Sequence, residues 1–135
     1  LTRIMAADMD VIPRNYDRAA NLRYPGGVDT YGRAEADRFW MGLRAAFPHA
    51  EFRIDHVIGR NDPMMPPRAA LRWSLWGAHD GWGRFGRPTG AQVYVMGMTH
   101  VEFGPFGDGG YPEIRNEYTL IDETAIWKQI LLHTG

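Results

Sequence analysis

Apolar residues along this chain follow two rhythms, one helical and one alternating. Between residues 31 and 47, Ala36, Phe39, Trp40, Leu43, Ala46 and Phe47 recur at steps that place them on one face of a helix. Asp29 or Thr30 can cap its start and Pro48 stops it. From residue 51 to 60 the period changes to two, with Phe52, Ile54, His56 and Ile58 on one face and Arg53, Asp55 and Val57 on the other. Two longer strands are predicted over residues 68–76 and 91–103, and a last one over 113–121. Asp122 then caps a short helix whose Ile126, Ile130 and Leu131 can pack down. Residues 2–8 allow a helical turn or two. Residues 13–30, with Pro13, Pro25, Gly26 and Gly27, read as an ordered loop, and 61–67 and 104–112 as further loops.

One helix followed by a run of antiparallel strands implies an α+β architecture in which a curved antiparallel sheet wraps around a helix. No internal repeat or linker divides the chain, so residues 1–135 are expected to form a single domain. Such a wrap encloses a cone-shaped pocket, the natural place for function.

Composition narrows the chemistry. A net charge of −1 argues against a nucleic-acid surface or a polybasic membrane patch. The absence of cysteine excludes disulfides, thiolate nucleophiles and Cys-ligated zinc. His49, His56, His79, His100 and His133 show no spacing typical of a metal site, so neither metal nor cofactor is expected. Ser74 is the only serine and lacks flanking elbow glycines, which disfavours a serine hydrolase. No apolar run approaches the roughly 20 residues that span a bilayer, and no leader-like pattern opens the chain; a cytoplasmic location is expected.

The stretch GAHDGWGRFGRPTG, residues 77–90, joins the two long strands by a wide, glycine-shaped loop. Together with Leu43-Arg-Ala-Ala-Phe-Pro48 and the run IRNEYTLIDETAIWKQI, it resembles the SnoaL-like polyketide cyclases of the nuclear transport factor 2-like superfamily. The resemblance covers nearly the whole chain. It implies the cone-shaped fold, with the usual long first helix short or missing, as at a truncated boundary. It also implies a small hydrophobic molecule as ligand.

The family's acid/base set does not carry over. Ungapped placement puts its His at Thr99, its Asp at Thr119 and its Asn near Val11. Threonine is no general base, so the family route to aldol cyclisation is not inherited. Glu117 is the expected replacement, two residues from Thr119 on the same strand face as Arg115. In an apolar cup its carboxyl would have a raised pKa and could serve as acid or base; alternatively it pairs with arginine at the rim. His79 can hydrogen-bond a ligand carbonyl or hold loop backbone. Arg115, Thr119, Thr99, Trp40, Trp82 and Asp10 complete the expected binding set, with Trp82 as a lid between two glycines, Trp40 a core residue first, and Asp10 otherwise a solvated cap.

Two functions therefore compete. One is a cyclase-, isomerase- or hydratase-type enzyme acting by acid/base chemistry on a small, hydrophobic, carbonyl-bearing molecule. The other is a non-catalytic ligand-binding or dimerisation module, which a longer chain could carry. The strand at 92–103 bears on assembly, because it is apolar on both faces. Val93, Val95, Val101 and Phe103 lie on one side, Tyr94, Met96 and Met98 on the other. The second face needs cover, which predicts a homodimer through the outer sheet face with His100 in the contact.

Overall fold

The computed structural model describes residues 16–60, 67–104 and 114–134. Six strands and two helices follow one another as β1 (Tyr16–Tyr24), β2 (Val28–Tyr31), α1 (Arg33–Ala46), β3 (Glu51–Arg60), β4 (Arg68–Ala78), β5 (Gln92–Phe103), β6 (Ile114–Ile121) and α2 (Glu123–Thr134). The strands make one curved sheet in the order β2-β1-β6-β5-β4-β3.

Helix α1 takes the face its periodicity implies. Ala36, Phe39, Trp40, Leu43 and Ala46 are buried, and Phe47 closes the helix end while fully buried itself. Each large side chain among them contributes about 1.5–3 kcal/mol when removed from water. Opposite lie Ala20, Leu22, Trp73, Leu75, Val93 and Val95 from the sheet. Helix α2 begins as expected, with the Ala125 amide donating to Asp122 Oδ1 at 3.0 Å.

Several expectations are corrected. Residues 13–30 are not a loop throughout: β1 and β2 form a hairpin in which Gly26 and Gly27, both at positive φ, make the turn. The alternation of buried Ala20, Leu22 and Tyr24 with exposed Asn21 and Arg23 was the signal, obscured by the Pro-Gly-Gly that follows. The sheet is mixed rather than antiparallel, because β1 runs parallel to β6. Neither Asp29 nor Thr30 caps α1. The N-cap is Gly32, without a side-chain hydrogen bond, and Asp29 pairs with Arg23 at 2.7 Å. Leu131 does not pack down but is 62% exposed, whereas Ile126 and Ile130 are buried. In β3 only Phe52 is half-buried, and a register shift between Ile54 and His56 breaks the expected alternation.

The glycine-rich connection between β4 and β5 has a use beyond turning. It lies flat on the last turns of α1, where the Gly81 amide donates to Ala46 O at 3.3 Å and the Arg84 amide to Gly42 O at 3.2 Å. A β carbon at Gly83 would stand 2.5 Å from the Gly42 carbonyl oxygen, and one at Gly81 would overlap the carbonyl of Ala45. Backbone meets backbone there, which only glycine permits. Arg84 continues the bracing: its Nε donates to Glu123 Oε1 at 2.9 Å, and its guanidinium lies 5.2 Å from the centroid of the Phe39 ring. No helix among the described residues is long and apolar enough to cross a membrane.

Candidate functional site

A buried polar chain crosses the concave side of the sheet between β4 and β1. Trp73 Nε1 donates to Thr99 Oγ1 at 3.1 Å, and Thr99 Oγ1 lies 2.9 Å from Thr119 Oγ1. Thr119 Oγ1 donates to Glu117 Oε2 at 2.6 Å, while Tyr24 Oη donates to Glu117 Oε1 at 3.1 Å. Trp73 and Glu117 are fully buried, and Tyr24, Thr99 and Thr119 nearly so. Polar groups withdrawn from water this completely must satisfy one another.

Pleating and register assemble this set. Thr99 is paired with Thr119 across β5 and β6, and Leu22 with Glu117 across β1 and β6. Trp73 is directly opposite Gly97, two residues from Thr99, and its ring lies over that glycine. The aromatic groups face α1: Tyr24 stacks on Phe39 at 4.2 Å and 13°, and Trp73 lies 5.8 Å from Trp40. The carboxylate therefore sits beneath the helix, on the side the curved sheet encloses.

Of the expected residues, Glu117, Thr119 and Thr99 come together. Trp40 lies next to them through Trp73; its indole nitrogen is buried and has no hydrogen-bond partner among the described residues. Arg115 lies on the same strand but is exposed, its side chain running over Gly104. Trp82 is 70% exposed, in the loop that lies on α1. Asp10 lies outside the described residues.

His79 stands elsewhere. Ala78 is paired with Gln92, whereas Glu117 is paired with Val101 nine residues further along β5. At about 3.3 Å per residue that separates His79 from Glu117 by roughly 30 Å of strand. His79 is fully buried between Phe47 and Phe85, with Nδ1 2.9 Å from Thr89 Oγ1 and Nε2 without a partner among the described residues. Its backbone also holds the loop: its amide donates to Ala91 O, and its carbonyl accepts from Thr89 and Gly90. Burial pushes its pKa below the ordinary value, with Asp80 pulling weakly the other way.

Sequence reasoning missed Tyr24 as a site residue, since its segment read as loop. Nor was the bond from Trp73 to Thr99 foreseen, although an indole N–H on a buried strand needs an acceptor. Among the described residues no group of three or more His, Asp or Glu side chains could hold a metal ion.

Comparison with known proteins agrees with this geometry at the level of fold. A SnoaL-like polyketide cyclase assignment from Jannaschia sp. CCS1 superposes with a TM-score of 0.73 at 21% identity, covering 90% of this chain and 76% of that one. IdmH of Streptomyces antibioticus, also assigned as a polyketide cyclase, gives 0.73 at 17% identity over 96% of this chain and 91% of its own. AclR of Streptomyces galilaeus, assigned as a hydroxylase, gives 0.72 at 18% identity, over 97% and 78%. Cyclase and hydroxylase assignments on one fold show that the fold alone does not fix the reaction. No curated protein matches the chain. The SnoaL-like domain profile matches residues 1–109, most of the sequence, and the chain belongs to that family.

Proposed function

We propose that the protein binds a small, hydrophobic, carbonyl-bearing molecule on the concave side of its sheet and moves a proton on it with Glu117, in a cyclase-, isomerase- or hydratase-type reaction. One observation carries this reading: Glu117 is a fully buried carboxylate held by two hydroxyl donors beneath an aromatic helix face. Burial at that depth is disfavoured for a charged group unless it has work or partners there. The unpartnered Trp40 indole N–H supplies a donor suited to a ligand carbonyl. His79, braced in its loop far from Glu117, is assigned to structure in this reading.

The test is deuterium wash-in. The protein is incubated in D2O with a panel of small cyclic and aromatic ketones, and exchange α to the carbonyl is followed by proton NMR. Exchange that Glu117→Gln abolishes while ligand binding persists supports the enzyme. Exchange that survives Glu117→Gln sinks it.

A second reading is favoured by a specific observation: both Glu117 oxygens already have protein partners, as in a network that only shapes a core. A non-catalytic binding module would bind ketones without exchanging their protons. On either reading we infer a homodimer through the outer face of the sheet. Trp76, Tyr94, Met96, Met98, Tyr118 and Leu120 are exposed there as one apolar field.

A further inference from the structure

The outer face of the sheet carries unlike charges on opposite sides of an apolar centre. A shallow cavity of about 290 Å3 lies over Met96 and Met98, with Arg72 of β4 on one side and Leu120 and Asp122, at the end of β6, on the other. The register fixes their order: Arg72 is paired with Met98 and Met98 with Leu120, while the Asp122 amide donates to Met96 O. Arg72 and Asp122 are both exposed, and neither forms a salt bridge among the described residues.

The relief of the face follows the same division. Ala70 is paired with His100 and His100 with Tyr118, so a methyl group on the β4 side stands level with a phenol on the β6 side. Ser74, the next outward residue of β4 beyond Arg72, is short and buried, whereas Tyr118 is 44% and Leu120 67% exposed. The β4 side is low and the β6 side is tall.

A second copy laid on this face by a twofold axis in the plane of the sheet has two aligned arrangements. An axis across the strands sets each strand over its own copy. Arg72 then meets the partner's Arg72, and Asp122 meets the partner's Asp122. An axis along β5 exchanges the two sides instead. Arg72 then meets the partner's Asp122, and Tyr118 stands over the partner's Ala70. Two ion pairs form by symmetry in place of two like-charge contacts, and the tall side of each copy fills the low side of the other.

We propose that the dimer axis runs along β5, with Arg72 of each protomer paired to Asp122 of its partner. The proposal rests on the homodimer inferred above; it specifies the orientation of the two sheets and the charges that select it. Charges so placed fix register and exclude the wrong arrangement more than they add affinity.

The experiment reads the axis as a distance. The chain contains no cysteine, so single spin labels can be attached through Gln92→Cys and Glu102→Cys, at the two ends of β5 on its outer face. Packed sheets lie about 10 Å apart, so an axis along β5 keeps both label pairs within about 20 Å. An axis across the strands separates both pairs by about 30 Å, at about 3.3 Å per residue from the centre of the face. Long distances in a dimer overturn the proposal and leave the homodimer standing. A charge cycle then tests the pair. Arg72→Asp should raise the dimer dissociation constant by about tenfold or more in sedimentation equilibrium, because like charges across an interface are costly. Adding Asp122→Asn, which keeps an N-cap for α2, should lower it again several-fold. Arg53→Asp, on the same face but off the pair, should gain nothing from Asp122→Asn. Strictly additive effects overturn the pairing. A wild-type chain that is monomeric at micromolar concentration overturns the homodimer itself, and the proposal with it.

Discussion

Gly97 and Trp73 face each other across β5 and β4, and the indole of Trp73 occupies the space that a β carbon on Gly97 would need. The missing side chain lets the ring lie flat on the sheet and bring Nε1 to Thr99. Gly97→Ala is therefore expected to destabilise the fold by about 1–3 kcal/mol, the usual range for overpacking a core. Urea unfolding gives the size, and altered Trp73 indole chemical shifts would show that the ring, rather than β5, has moved. A variant as stable as wild type would mean that the strand yields at little cost.

The bond from Thr119 to Glu117 should matter more to stability than the bond from Tyr24. Thr119→Val leaves a buried carboxylate oxygen without its short hydroxyl donor, a loss of about 2–3 kcal/mol for a hydrogen bond to a charged group. Tyr24→Phe removes a longer bond and keeps the stacking on Phe39, so about 1 kcal/mol is expected. Thr119→Ser should recover most of the deficit. Denaturation midpoints measured side by side would expose the opposite ranking, if it holds.

These positions also show how much the sequence discloses. The core face of α1 was legible residue by residue, because little besides an amphipathic helix produces a 3.6-residue apolar period sustained over four turns. The two faces of β5 were equally plain, and burial alternates along the strand from Val93 to Val101 as the pattern implies. The hairpin of β1 and β2 was hidden, since Arg and Asn on its outer face and a Pro-Gly-Gly turn imitate a loop. Glu117, Thr99 and Thr119 could be grouped from strand parity and the family placement. Tyr24 could not, because its approach depends on a parallel pairing between strands 93 residues apart, and local pattern carries no information on such pairings.

Helix α2 depends on one side chain for part of its docking. β6 pairs with β5 only as far as Gly97, and the Tyr94 backbone beyond it is met by Gln129, which accepts from the Tyr94 amide at 2.9 Å and donates to its carbonyl at 3.0 Å. Gln129→Ala should cost about 1 kcal/mol, with both bonds partly open to water. The sharper readout is hydrogen exchange, in which the Tyr94 amide should lose protection while the centre of β5 keeps it.

His79 should give the fold a pH dependence of definite sign. Burial holds its folded-state pKa below the ordinary 6.5, so near and below that pH the unfolded chain binds more protons than the folded one. Stability then rises with pH. The contribution is complete above about 6.5 and is lost as the pH falls below it. Urea midpoints from pH 8 to 5 should decline more steeply for wild type than for His79→Gln; parallel curves would show that His79 takes up its proton in place, without strain on its loop.

The proposed dimer can be probed where its apolar field is most open. Met98 is 61% exposed and Met96 52% exposed on the outer face of β5, and neither touches the polar chain that holds Glu117. A glutamate there stays hydrated in a monomer but is buried opposite its own copy across a twofold interface, where like charges repel and lose water. Met98→Glu should therefore shift the sedimentation coefficient from dimer to monomer at micromolar concentration, with the far-UV circular dichroism unchanged. Wild-type protein that already sediments as a monomer would end the dimer proposal. A variant that stays dimeric would move the interface off this face.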